Sequence, residues 1–204
     1  MKNKMSDKYY KRRISDRKLR TKILLVCEGG KTEPKYFRKF PVDKEVLEVT
    51  ISGEGKNTDS LVESAIEKKK KAEYDGEPYN QVWCIFDKDS FSHDKFNRAI
   101  ILAENNKIKV AYSNEAFELW YLLHFHYFDT GINRAEYYVK LNALLEKTYE
   151  KSADDIYGVL RGKQKYAIRH ATKLFSSYPS CNPYKNNPST TVFRLVQELN
   201  KFIS

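Results

Sequence analysis

Cysteine is scarce in this chain, three among 204 residues. The odd count and irregular spacing exclude a disulfide scaffold, and reduced thiols suit the expected cytoplasmic setting. Glycine (eight) and proline (six) are also few, which excludes collagen-like and low-complexity classes. No apolar run approaches the ~20 residues of a membrane-spanning helix, so no membrane partner is expected. The N-terminus is rich in Lys and Arg but has no apolar h-region, so it does not read as a secretory signal. No internal repeat is visible. Zinc-type Cys/His spacing is lacking too: His124 and His126 stand two apart and on a helix would point to different faces. What is present is 41 % hydrophobic residues, enough at this length to bury on the order of 70 % of the unfolded surface.

Acidic residues are outnumbered, 27 against 37 Lys plus Arg. The imbalance is local. Residues 1–22 hold ten basic residues, among them Arg12 and Arg13, against Asp7 and Asp16, a net +8 of the total +10. This basic arm, with Tyr9 and Tyr10 interleaved, suits phosphate-backbone contact through counterion release. A solvated tail that keeps the protein soluble is the plainer alternative.

Beyond the arm, residues 23–27 form an unbroken apolar run closed by Glu28-Gly29-Gly30. A run apolar on both faces and ended by Gly reads as a buried parallel strand. Thr32 is expected to cap a helix that stops before Pro41, with Pro34 in its first turn. Residues 47–51 alternate as a second strand, and a helix is expected over 60–74. Residues 82–86 are another two-sided apolar strand, ending in Asp87-Lys88-Asp89. A helix over 94–105 and a more exposed strand over 107–112 follow. The order βαβαβαβ predicts a mostly parallel sheet flanked by helices. From Ser113 the pattern turns helical, with an aromatic-rich helix over 113–128 and further helices near 134–150, 163–177 and 189–203. The expected organisation is an arm (1–22), an α/β core (23–112) and a helical annex packed on it (113–204).

In open parallel sheets, ligands sit outside the carboxyl ends of the strands. Glu28 closes the first apolar strand, and Asp87 and Asp89 close the third. Residues i and i+2 of an extended segment point the same way, and neighbouring strands lie ~4.8 Å apart. If these two strands are neighbours, the three carboxylates converge. Uncompensated, they would repel and raise their own pKa values. A hard divalent cation with oxygen ligands, Mg²⁺ or Mn²⁺, resolves that repulsion and supports phosphoryl chemistry. Either motif alone is an ordinary loop feature; their combination in one βαβ array carries the expectation. Gly29-Gly30-Lys31-Thr32 is not a Walker loop, because Leu25 stands where its first Gly belongs. Backbone amides there, with Lys31, could still bind a phosphate, or form a simple turn.

At these residues the sequence resembles the RloB family. The resemblance is carried by 26–37 (VCEGGKTEPKYF), 82–89 (VWCIFDKD), 113–125 (SNEAFELWYLLHF) and 187–192 (NPSTTV), and runs from about Ile23 to the C-terminus. It implies a Toprim-like core in which Glu28, Asp87 and Asp89 would bind Mg²⁺ and support phosphodiester chemistry. It also implies a place in phage-defence or abortive-infection modules, beside restriction–modification systems or an AAA-type ATPase encoded nearby. A similar Toprim effector in a related defence system attacks tRNA.

Glu118 and Glu115 are further candidates, since the fourth strand leads directly into their segment. Glu118 stands among Phe117, Leu119 and Trp120, where an acid calls for a partner or a ligand; a capping or salt-bridge role is the alternative. His93 reads as a loop residue. The aromatic stripe around Trp120 reads as core. The expected activity is metal-dependent endonucleolytic cleavage of RNA, tRNA included, or DNA. Asp87 and Asp89 would hold the metal, Glu28 would activate water or position a second ion, and Glu118 would assist. Lys31, Lys88, Arg12 and Arg13 would contact substrate. The alternative is a non-catalytic nucleic-acid-binding or regulatory subunit of an AAA-ATPase defence complex. Self-association is left open. The chain has no room for the separate nucleophile domain of a topoisomerase or the template apparatus of a primase.

Overall fold

The computed structural model describes residues 20–53, 58–88, 93–151 and 155–203. Five strands form one sheet: β1 (Thr21–Cys27), β2 (Leu47–Gly53), β3 (Gln81–Asp87), β4 (Lys109–Asn114) and β5 (Ser189–Thr190). Their spatial order is β2-β1-β3-β4-β5. The first four run parallel and β5 is antiparallel to β4. Strands β1 and β3 are neighbours, Cys27 standing opposite Ile85. The helices are α1 (Thr32–Arg38), α2 (Thr58–Tyr74), α3 (His93–Asn105), α4 (Glu118–Leu122), α5 (Arg134–Leu145), α6 (Ile156–Leu160), α7 (Gln164–Ser176) and α8 (Val192–Asn200). This is an α/β fold with a mostly parallel sheet flanked by helices, consistent with a Toprim-like core.

The unbroken apolar runs exist because both sheet faces are covered. Ile23, Leu25, Cys27, Trp83 and Ile85 face one core with residues of α1 and α4–α8. Leu24, Val26, Val82, Cys84 and Phe86 face the other, with α2 and α3. Each such aliphatic or aromatic side chain contributes about 1.5–3 kcal/mol through burial. The central strands are therefore held from both sides, and so are the residues at their carboxyl ends.

Several boundaries differ from the sequence expectation, each for a local reason. Thr32 lies inside α1; Lys31 takes the N-cap position without a side-chain cap. β4 begins at Lys109, because Lys107 adopts a left-handed φ of 57° in the turn after α3. It runs on to Asn114 and is largely buried between β3 and β5, not an exposed strand. Ser113 and Asn114 therefore end a strand instead of starting a helix. The Asn114 side-chain amide donates to the carbonyls of Pro183, Tyr184 and Asn186, tying the chain before β5 to the sheet. The aromatic helix expected over 113–128 shortens to α4. Its Phe117, Trp120 and Tyr121 are core, as expected. Ser189 and Thr190 pair with β4 instead of belonging to the last helix, and Thr190 Oγ1 accepts the Val192 amide at 3.2 Å. α5 starts with a capping box, Asn133 with Glu136, and ends at Glu146 with φ 53°. The segment after residue 112 thus supplies a strand as well as helices.

Candidate active site

The parallel order places the ends of β1 and β3 side by side at the carboxyl edge of the sheet. The Glu28 amide donates to Ile85 O at 2.9 Å, extending the β1–β3 ladder by one residue. The Glu28 side chain then turns to β3, where its Oε2 accepts the Asp87 backbone N–H at 3.1 Å. The Glu28 carboxylate thus reaches the backbone of Asp87. Asp89, Arg12 and Arg13 lie outside the described residues, as does the side chain of His93.

Asp87 is only 7 % exposed. Its Oδ2 accepts from Arg134 Nη2 at 3.0 Å, while its Oδ1 is buried with no hydrogen-bond partner among the described residues. Burial raises the Asp87 pKa well above the carboxylate range; Glu33, Glu118 and Glu28 raise it further, and Arg134 opposes them. A cation is thus already present beside the acid, on one of its two oxygens.

Two more buried acids act electrostatically on Asp87. Glu118 is 1 % exposed, and its Oε1 accepts the Tyr149 hydroxyl at 3.1 Å. Glu33, in the first turn of α1, is 5 % exposed. Burial pushes its pKa up to about 7; its own backbone N–H lowers it, Glu118 raises it, and Lys151 and Arg134 lower it. Glu33 Oε2 also lacks a hydrogen-bond partner among the described residues. Its carboxylate folds back over the β1–α1 loop, and a Cβ on Gly29 would run into it. The cluster therefore holds Glu28, Glu33, Asp87 and Glu118 with Arg134 and Lys151. Among the described residues, no group of three His, Cys, Asp or Glu closes tightly enough to hold a metal ion by itself.

The remaining expected site residues lie around this cluster. Lys88 follows Asp87 directly; its Nζ is 3.7 Å from Glu115 Oε2 and 5.0 Å from the Tyr184 ring centre. Glu115 is thereby an ion-pair partner of Lys88. Lys31 is exposed at the start of α1. His124 is buried, with Nδ1 against Trp120 O at 2.8 Å, and burial lowers its pKa to about 4. It is a core histidine. Cys27 and Cys84 are buried apolar groups whose thiol pKa values burial raises.

Sequence reasoning missed Glu33, Arg134, Tyr149 and Lys151. An acid in the first turn of a helix has a routine explanation in the helix dipole, so Glu33 gave no signal. Arg134 and Tyr149 reach their partners across 47 and 31 residues of chain, distances no local pattern reports.

Fold and site together define an α/β protein with an acidic cluster at the carboxyl edge of a parallel sheet. Residues 23–199 match the family described as RloB-like protein. The chain belongs to that family, which suggests a restriction- or defence-linked protein. No curated protein and no solved structure matches the chain. No helix among the described residues is long and apolar enough to cross a membrane.

Proposed function

We propose that this protein is a metal-dependent nuclease that hydrolyses phosphodiesters in RNA, tRNA included, or in DNA, as the effector of a phage-defence or abortive-infection system. One observation carries the reading. Asp87, ending the central apolar strand, keeps a buried Oδ1 without a partner amid Glu28, Glu33 and Glu118. A fold gains nothing from gathering acids that raise one another's pKa, and such clusters mark functional sites.

The donor set fits a hard divalent cation. It offers oxygen alone, with free acceptors at Asp87 and Glu33, and Mg²⁺ commonly takes only one or two protein carboxylates. Asp87, with Glu28 and Asp89, would hold Mg²⁺ or Mn²⁺, which when bound polarises a phosphoryl oxygen and acidifies water. Glu33, with its pKa near 7, suits proton transfer at neutral pH. Glu118 keeps the acidic wall buried through Tyr149. Arg134 and Lys151, with Lys31 and Lys88 at the rim, offset phosphate charge. The basic arm, Arg12 and Arg13 included, retains the strand.

The test is cleavage of tRNA, single-stranded DNA and plasmid by purified protein with Mg²⁺ or Mn²⁺, with and without the AAA-type ATPase. Asp87→Asn and Glu28→Gln should each lower cleavage at least a hundredfold while circular dichroism is unchanged. Full cleavage by either variant defeats the assignment.

A second reading rests on the Asp87–Arg134 pair. If Arg134 is the permanent partner of Asp87, the protein is a non-catalytic nucleic-acid-binding or regulatory subunit docked on the ATPase. Calorimetric titration separates the two: absence of any heat at millimolar Mg²⁺ or Mn²⁺ favours the subunit.

A further inference from the structure

Residues 161–176, the short 3₁₀ turn Arg161–Lys163 followed by α7, contain five Lys or Arg and no Asp or Glu. All five cations are exposed, and none forms an ion pair with a described residue. Lys165, Arg169 and Lys173 recur at i, i+4 and i+8, so they make one stripe on the outer face of α7. Like charges in that spacing weaken a helix, so the stripe does not serve folding. The opposite face, Ala167, Ala171 and Leu174, is buried in the core.

Aromatic rings interleave with these cations. Tyr166 is 41 % exposed and lies between Lys165 and Arg169, each 5.4 Å from its ring centre. Lys163 stands 4.2 Å above Phe125, and Lys173 stands 4.2 Å above Tyr127. Lys140 of α5 lies 5.3 Å from Phe128. Phe125, Tyr127 and Phe128 lie in the loop between α4 and α5, whose one acid is Asp129. The surface also leads to the acidic cluster. Phe128 packs on Tyr137, and α5, which carries Lys140, begins with the Arg134 that holds Asp87.

We propose that this face is a track for a single-stranded nucleic acid. The cation stripe would follow the phosphates, and the exposed Tyr166 would stack on an unpaired base, which a duplex does not present. The inference extends the nuclease reading above by naming its substrate form and its approach path, but its test reads binding alone.

Full-length protein in EDTA is titrated against labelled oligo-U, oligo-dT and a blunt duplex, with anisotropy as readout. Single strands should bind more tightly than the duplex. The triple variant Lys165→Gln, Arg169→Gln, Lys173→Gln should bind them at least about tenfold more weakly, with the slope of log K against log salt shallower by about 2. Tyr166→Ala should weaken single-strand binding about 5- to 100-fold and leave the duplex unchanged; Tyr166→Phe should bind normally. The arm is common to all variants, and circular dichroism confirms that each is folded. Unchanged single-strand affinity in the triple variant or in Tyr166→Ala overturns the track. So does equal competition by polyglutamate with Tyr166→Ala silent, which assigns the face to an acidic protein. Binding without cleavage in wild type leaves the track standing and removes only the nuclease reading.

Discussion

Arg134 Nη2 stands 3.0 Å from Asp87 Oδ2, bringing a cation from the start of α5 to the end of β3, 47 residues earlier in the chain. The pair is asymmetric. One carboxylate oxygen is paired, while Oδ1 is buried without a partner among the described residues and three other carboxylates act on the same group. A guanidinium cannot be deprotonated, so it fixes part of the charge at this edge of the sheet whatever else binds.

Arg134→Ala therefore separates the two functional readings. Without the guanidinium, Asp87 remains buried among acids. The pair is partly solvated at its Arg134 end, the side chains being 28 % exposed for Arg134 and 10 % for Asp87, so the expected loss is about 1–3 kcal/mol, below that of a fully buried pair. If Asp87 is a metal ligand, millimolar Mg²⁺ restores most of that loss by binding the folded state alone. Urea unfolding of wild type and variant, with and without Mg²⁺, checks it. A variant whose own unfolding midpoint Mg²⁺ does not raise places Asp87 in a structural ion pair.

Glu33 makes stability depend on pH in a definite direction. Its folded pKa, about 7, lies above its ordinary value of 4.5. Between these values the folded chain binds more protons than the unfolded one, so stability falls as pH rises. The contribution is fully present below about 4.5 and is lost as pH passes 7; the span amounts to about 3 kcal/mol at most. Asp87 acts in the same direction, its pKa being raised as well. Wild type should thus be more stable at pH 5 than at pH 8, and Glu33→Gln should lose less over that range. Urea midpoints that shift in parallel for the two proteins would contradict this account.

Much of this arrangement was legible because the physics behind it is local. Runs such as Leu24-Leu25-Val26 and Cys84-Ile85-Phe86 can be unbroken only if both faces are covered, which makes β1 and β3 interior strands. Parallel order then brings Glu28 and Asp87 to one edge. Other features had no local signature. β5 is two residues long, too short to show a period, and Ser113-Asn114 reads as a helix cap until its polar groups are seen bonded to the chain near β5. Glu33 hides behind the usual acid of a first turn. Arg134 and Tyr149 are defined only by the packing of α4, α5 and the following loop on the sheet.

Gly29 shows how the loop sequence serves the cluster. The Glu33 carboxylate occupies the space where a side chain at Gly29 would begin. Gly29 has no positive φ among the described residues, so its role is room and not backbone conformation. In Gly29→Ala the new methyl meets the carboxylate, and Glu33 must leave its buried position or push the loop away. The obstructing atoms are the end of one flexible side chain, so the expected cost is at the low end of overpacking, about 1 kcal/mol. If displacement of Glu33 is the cause, Glu33→Ala in the Gly29→Ala background should recover most of that loss, since the obstructing group is then gone. A double-mutant cycle by urea unfolding measures the coupling. Additive losses would mean that Gly29 and Glu33 do not share this space in solution, and would remove Glu33 from the cluster around Asp87.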